Sequence, residues 1–101
     1  MLSFVVLDYP FAYANHQISK FIDFAVFIDT PLDVALARRL VRDFGNSTIT
    51  EVMSDMSNYL LHGRLAYLEA LNTIRPQSDF VVDGALPVSE ITRILMECVD
   101  A

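Results

Sequence analysis

Three short apolar runs constrain this chain most: Phe4-Val5-Val6-Leu7-Asp8, Phe24-Ala25-Val26-Phe27-Ile28-Asp29 and Phe80-Val81-Val82-Asp83-Gly84. They are rich in β-branched and aromatic residues and do not alternate with polar ones, which is the pattern of strands buried on both faces of a parallel sheet. The stretches between them carry helical periodicity. Asn15 to Ile22 is short. Thr30-Pro31 with Asp33 reads as a cap, first position and first turn, and Leu36, Leu40 and Phe44 recur at four-residue spacing, flanked by Ala37 and Val41, before Gly45-Asn46. Thr48 and Glu51 fit a capping box. The helix they open keeps its period through Val52, Met53, Met56, Tyr59, Leu60, Tyr67, Leu68 and Leu71 as far as Arg75-Pro76, with Gly63 marking a kink or break. Val88 to Val99 forms the last helix. The order β-α-β-α-α-β-α predicts an α/β fold: three layers, with a short parallel sheet of three strands between flanking helices.

At 101 residues the chain suits one domain spanning 1–101. A net charge of −6 argues against an isolated nucleic-acid binder, because it repels phosphate backbones. No apolar run approaches the ~18 residues of a membrane span. Met1-Leu2-Ser3-Phe4 lacks a basic n-region, and the single cysteine, Cys98, excludes a disulfide framework. A cytoplasmic location is the expectation. The hydrophobic share of 53% is high for a chain that buries only about 60–70% of its unfolded surface. It points to an oligomer interface or a missing partner segment.

Each apolar run ends in a carboxylate: Asp8, Asp29 and Asp83. Ligands of open parallel sheets sit at that edge, although aspartate also ends strands through turn hydrogen bonds. Three of the six arginines, Arg38, Arg39 and Arg42, fall within five residues. Helical spacing places them on one face, opposite Leu36 and Leu40, with Asp43 one turn from Arg39. Guanidinium forks suit phosphate oxygens, and the same pattern also fits a solvated face with local ion pairs. His16 and His62 have no metal-ligand partners at useful spacing, so no metal site is expected. Met53, Met56, Met96 and Cys98 read as core, and Tyr59 and Tyr67 as packing residues. A phosphate-binding loop requires G-x-x-x-x-G-K-[ST]. The glycines are Gly45, Gly63 and Gly84, none of which precedes the lone lysine, Lys20.

The segment Phe24 to Asp43, with Arg38-Arg39-Leu40-Val41-Arg42-Asp43 as an R-R-x-x-R-D run behind a strand ending in aspartate, resembles the uridine kinase and phosphoribulokinase group of P-loop kinases. Tyr59, His62-Gly63-Arg64 and the Asp79–Gly84 run follow in similar order. The resemblance covers the C-terminal half of such a kinase. It implies ATP and Mg²⁺ as cofactors, and a lid role for Arg38, Arg39 and Arg42 on ATP phosphates. It also implies phosphoryl transfer to a nucleoside or similar small hydroxyl compound. Asp8-Tyr9 stands where family members often have Glu-Gly. The family's phosphate-binding loop and catalytic aspartate have no counterpart in these residues. The chain alone is therefore expected to be inactive and to hold neither cofactor tightly. The alternative is a non-catalytic α/β interaction module acting as a dimer. The expected partners are a second copy or a missing N-terminal half, with nucleotide or phosphate as ligand, and neither nucleic acid nor membrane.

Overall fold

The computed structural model describes residues 4–9 and 11–100. Its sheet has two parallel strands, β1 (Val26–Asp29) and β2 (Phe80–Asp83), in the register Val26–Phe80, Phe27–Val81, Ile28–Val82 and Asp29–Asp83. Between them run α2 (Leu32–Asp43), α3 (Ile49–Asn58), a π-helical turn (Tyr59–Gly63) and α4 (Arg64–Thr73). The short α1 (His16–Ser19) precedes β1, and α5 (Val88–Asp100) follows β2 and packs on it. The class is mixed α/β, consistent with part of a P-loop kinase fold.

Local chemistry explains most boundaries. Asn15 Oδ1 accepts the Gln17 and Ile18 N–H groups at 2.9 and 3.1 Å and starts α1. Thr48 Oγ1 accepts the Glu51 N–H at 3.2 Å, as the capping pattern predicts. Gly63 closes the π-turn: a Cβ there would lie 3.0 Å from Tyr59 Cδ2, so the glycine lets the Tyr59 ring lie against the backbone. The N-terminus of α2 departs from expectation. Pro31 holds the cap position with no side-chain cap, and the Thr30 carbonyl accepts the Tyr67 hydroxyl at 2.7 Å.

The run Phe4–Asp8 is not a strand. It is irregular and exposed, with Val5 at 98% and Val6 at 91%. A strand pattern records which residues can pair, and this segment meets no ladder. The chain beyond it folds on itself instead. Tyr9 packs edge-on against Phe11 (5.7 Å between centroids), Ala12 takes a left-handed φ of 42°, and Asn15 Nδ2 donates to Tyr9 Oη at 2.8 Å.

With two strands, burial on both faces fails too. Among the described residues Ala25 and Val82 alone form the buried apolar core. Val41, Met53 and Met96, expected inside, are exposed, because no further layer covers the outer sides of α2, α3 and α5. Cys98 is a free thiol and only half-buried. A compact globule of 11.4 kDa exposes about 5,800 Å², whereas this chain exposes 7847 Å². Its radius of gyration is 16.0 Å against about 13 Å for a compact chain of this length.

Asp79 ties the N-terminal segment to the start of the sheet. Its Oδ2 accepts both the Tyr13 hydroxyl, at 2.5 Å, and the Ala25 N–H, at 2.7 Å. These two bonds, the Tyr13 one first, hold the Asp79 carboxyl below the usual carboxylate range. A carboxylate with a lowered folded pKa contributes stability above its unfolded value, about pH 4, and loses it as pH falls through the lower folded value. Unfolding free energy measured from pH 5 to pH 2 is therefore expected to fall more steeply for the native chain than for Asp79→Asn. Parallel pH profiles would show that the tether does not stabilise the fold.

Candidate functional site

The carboxyl edge of the sheet is the most connected part of the molecule. Asp29 and Asp83 are partners on the last rung and project to the same face. Asp29 Oδ2 accepts Arg75 Nη1 at 2.9 Å, and Tyr67 Oη reaches Asp29 Oδ1 at 3.5 Å while donating to the Thr30 carbonyl. Burial, and then the Asp29 charge, push the Tyr67 phenol above its ordinary range, so it stays a proton donor. Asp83 turns inward on its own loop: Oδ1 accepts the Ala85 N–H at 2.9 Å, an Asx-type turn. Gly84 N–H donates to the Asp29 carbonyl at 2.8 Å, carrying the ladder one residue past β2.

Of the three strand-end carboxylates, the structure brings Asp29 and Asp83 together. Asp8 ends no strand and lies exposed in the irregular N-terminal segment. Among the described residues no three His, Cys, Asp or Glu side chains converge on a metal position. Asp29 is taken by Arg75 and Tyr67 and Asp83 by a backbone N–H, so these residues do not fit a Mg²⁺ site by themselves. No glycine-rich phosphate cradle is present in the sequence either.

The three arginines reach three different partners, although Arg38 and Arg42 are exposed and Arg39 is half-buried. Arg38 reaches the turn after β2, donating to the Gly84 carbonyl at 2.6 Å and the Ala85 carbonyl at 3.2 Å. Arg39 pairs with Asp55 of α3 at 2.5 Å. Arg42 extends outward with its side chain 75% exposed, paired with its neighbour Asp43 at 2.7 and 3.0 Å. The expected Asp43–Arg39 contact is thus replaced by Asp43–Arg42, which draws the Asp43 carboxyl below its usual range. At ~100° per residue Arg38 and Arg39 diverge by that angle, while Arg42 lies about one turn further along the axis, so each guanidinium meets a different partner.

A cleft of about 210 Å³ opens beside this edge, lined by Leu32, Leu36, Arg39, Tyr59, Gly63 and Tyr67. Tyr67, Arg75 and Asp55 are the connecting residues that sequence reasoning missed. Tyr67 reads as a packing position by its helical spacing, and Arg75 as a helix end beside Pro76. Nothing in the spacing marks Asp55 as an arginine partner.

The fold and its charged edge define a partial α/β kinase-like unit. The profile of the phosphoribulokinase / uridine kinase family matches residues 3–79, and the chain belongs to that family. A uridine kinase of Psychromonas ingrahamii is 38% identical to it over 61 residues, which is 60% of this chain and 28% of that protein. The match thus spans under a third of that relative's length. No solved structure matches the chain. No helix of the described residues is long and apolar enough to cross a membrane.

Proposed function

We propose that this chain serves as the arginine-bearing, lid-like part of a kinase that transfers the γ-phosphoryl group of ATP, with Mg²⁺, to a nucleoside such as uridine. The family match across residues 3–79 carries this reading. Arg42 is the residue best placed to meet phosphate, because its guanidinium is exposed and its one partner, Asp43, is exposed as well. A fork of this kind neutralises phosphate charge as a lid closes. Arg39 would join it by exchanging Asp55 for phosphate, while Arg38 braces the turn after β2 against α2. Positioning and charge neutralisation govern phosphoryl transfer, and the residues that cradle the β- and γ-phosphates are missing from this sequence. By itself the chain should not turn over. A cytoplasmic location suits a kinase of this kind.

Fragment complementation tests the reading. Residues 1–101 with uridine, ATP and Mg²⁺ should give no product above a blank. Adding the complementary part of the Psychromonas ingrahamii uridine kinase, which would supply the phosphate-binding loop, should restore phosphorylation, and Arg42→Ala should then lower kcat/KM on the order of tenfold or more. Activity of the chain alone would overturn the first part, and full activity of the complemented Arg42→Ala variant the second. A second reading, a non-catalytic interaction module working as a dimer, is favoured by the large exposed surface.

A further inference from the structure

We infer that Asp55 gates the phosphate site: its carboxylate stands in for phosphate on Arg39, and an incoming polyphosphate must displace it, which frees α3 from α2. This gate rests on the lid role proposed above for Arg39 and Arg42. Arg39 Nη2 donates to Asp55 Oδ2 at 2.5 Å. A carboxylate and a phosphate offer a guanidinium fork the same kind of acceptor, so the two compete for it.

Arg42 is also held by a carboxylate, but in a different way. Its partner is the adjacent Asp43 on the same helix, and both side chains are open to water, at 75 and 44%. Solvent screens that pair, and releasing it moves no second element. Asp55 is 20% exposed and belongs to α3, so releasing Arg39 changes how two helices are joined. Among the described residues Arg39–Asp55 is the one side-chain hydrogen bond between α2 and α3, and the two helix backbones scarcely approach each other.

Two openings meet at this pair. Arg39 lines the cleft of about 210 Å³ beside the strand ends. Asp55 lines a separate groove of about 590 Å³ with Phe44, Glu51 and Asn58. Glu51 lies one turn before Asp55, so the groove carries two carboxylates and no cation among its lining residues. It repels an anion, and phosphate cannot settle beside Asp55 while the pair is intact. Arg39 must leave α3 instead, and the cleft on its other side gives the guanidinium room to move. Arg42 lies three residues on, where helical side chains are neighbours about 5–6 Å apart at Cβ. A polyphosphate bridging Arg39 and Arg42 thus gains two forks, and only the Asp55 partner resists through a second helix.

Nuclear magnetic resonance of the native chain, titrated with inorganic tripolyphosphate at constant ionic strength, tests the gate. Arg42 Nε and the side-chain carboxyl carbon of Asp55 should shift with one midpoint, as Asp55 loses its partner. Asp55→Asn keeps the shape and removes the charge. It should bind tripolyphosphate on the order of tenfold more tightly, the factor that follows if Asp55 leaves Arg39 free in about a tenth of the molecules. Glu51→Gln removes an equal charge one turn away and should change the affinity by less than about threefold. It separates displacement from a general loss of negative charge. Partly exposed ion pairs add little to stability, so Asp55→Asn should stay folded, which circular dichroism checks. The native titration decides by itself if it does not. A shift at Arg42 with none at Asp55, or an Asp55→Asn gain no larger than that of Glu51→Gln, would overturn the gate and leave the lid role of Arg42 standing. No response at Arg42 in either the native chain or Asp55→Asn would remove the lid role and the gate with it.

Discussion

Gly84→Ala is expected to destabilise the protein by about 3 kcal/mol, at the upper end of overpacking costs. A Cβ on Gly84 would lie 1.8 Å from Thr30 Oγ1, 2.9 Å from Thr30 Cβ and 3.0 Å from Ile28 Cγ2. The glycine's φ is not positive, so the demand is for space rather than for an unusual backbone conformation. Thr30 Oγ1 can rotate away, but Thr30 Cβ moves only with a backbone that is itself held. The Thr30 carbonyl is held by Tyr67, and the Gly84 N–H and carbonyl are held by Asp29 and Arg38. For a domain of this size the cost corresponds to a fall in melting temperature of roughly 15 °C. Thr30→Gly in the same background removes two of the three clashes and should recover part of the loss. A Gly84→Ala melting point within roughly 2 °C of the native one would show that the two strand ends do not approach this closely.

Val82→Ala should cost about 2 kcal/mol, and Ile28→Ala, its partner across the rung, well under about 1 kcal/mol when the chain is monomeric. Isoleucine loses more carbon than valine in this comparison, so side-chain size alone predicts the opposite order. Exposure reverses it: Val82 is sealed at 3% and Ile28 open at 53%. Urea unfolding at low micromolar concentration reads both. An Ile28→Ala loss as large as that of Val82→Ala would mean that the β1 face is covered in solution.

Residues 26–29 and 80–83 announce themselves as strands because β-branched and aromatic side chains cluster there and turn chemistry follows. Thr48 and Gly63 are legible for the same local reason: a cap and a break are properties of a few adjacent residues. Phe4–Leu7 has equal strand character, but pairing depends on whether an edge is within reach, which no local pattern encodes. The arginines show the same limit. Helical spacing fixes the directions in which Arg38, Arg39 and Arg42 leave the axis. The carbonyls of Gly84 and Ala85 and the carboxylate of Asp55 that receive two of them come from distant sequence. Thr30 misleads because Thr-Pro with a following acid is a strong cap signature. Here Pro31 takes the cap position and Tyr67 claims the Thr30 carbonyl.

The π-turn at Tyr59–Gly63 sets the angular phase of everything beyond it. An α-helix advances ~100° per residue, so a turn that absorbs one extra residue indexes the following helix by about that angle without moving its axis far. α4 is therefore clocked relative to α3, and this clocking aims Tyr67 at Thr30 and Asp29. Had the helix run on in uniform α geometry, the same residues would present a different stripe to the sheet edge, and the Tyr67 hydroxyl would face away from it. A single residue of helical slack thus decides which side of a ten-residue element reads the strand ends.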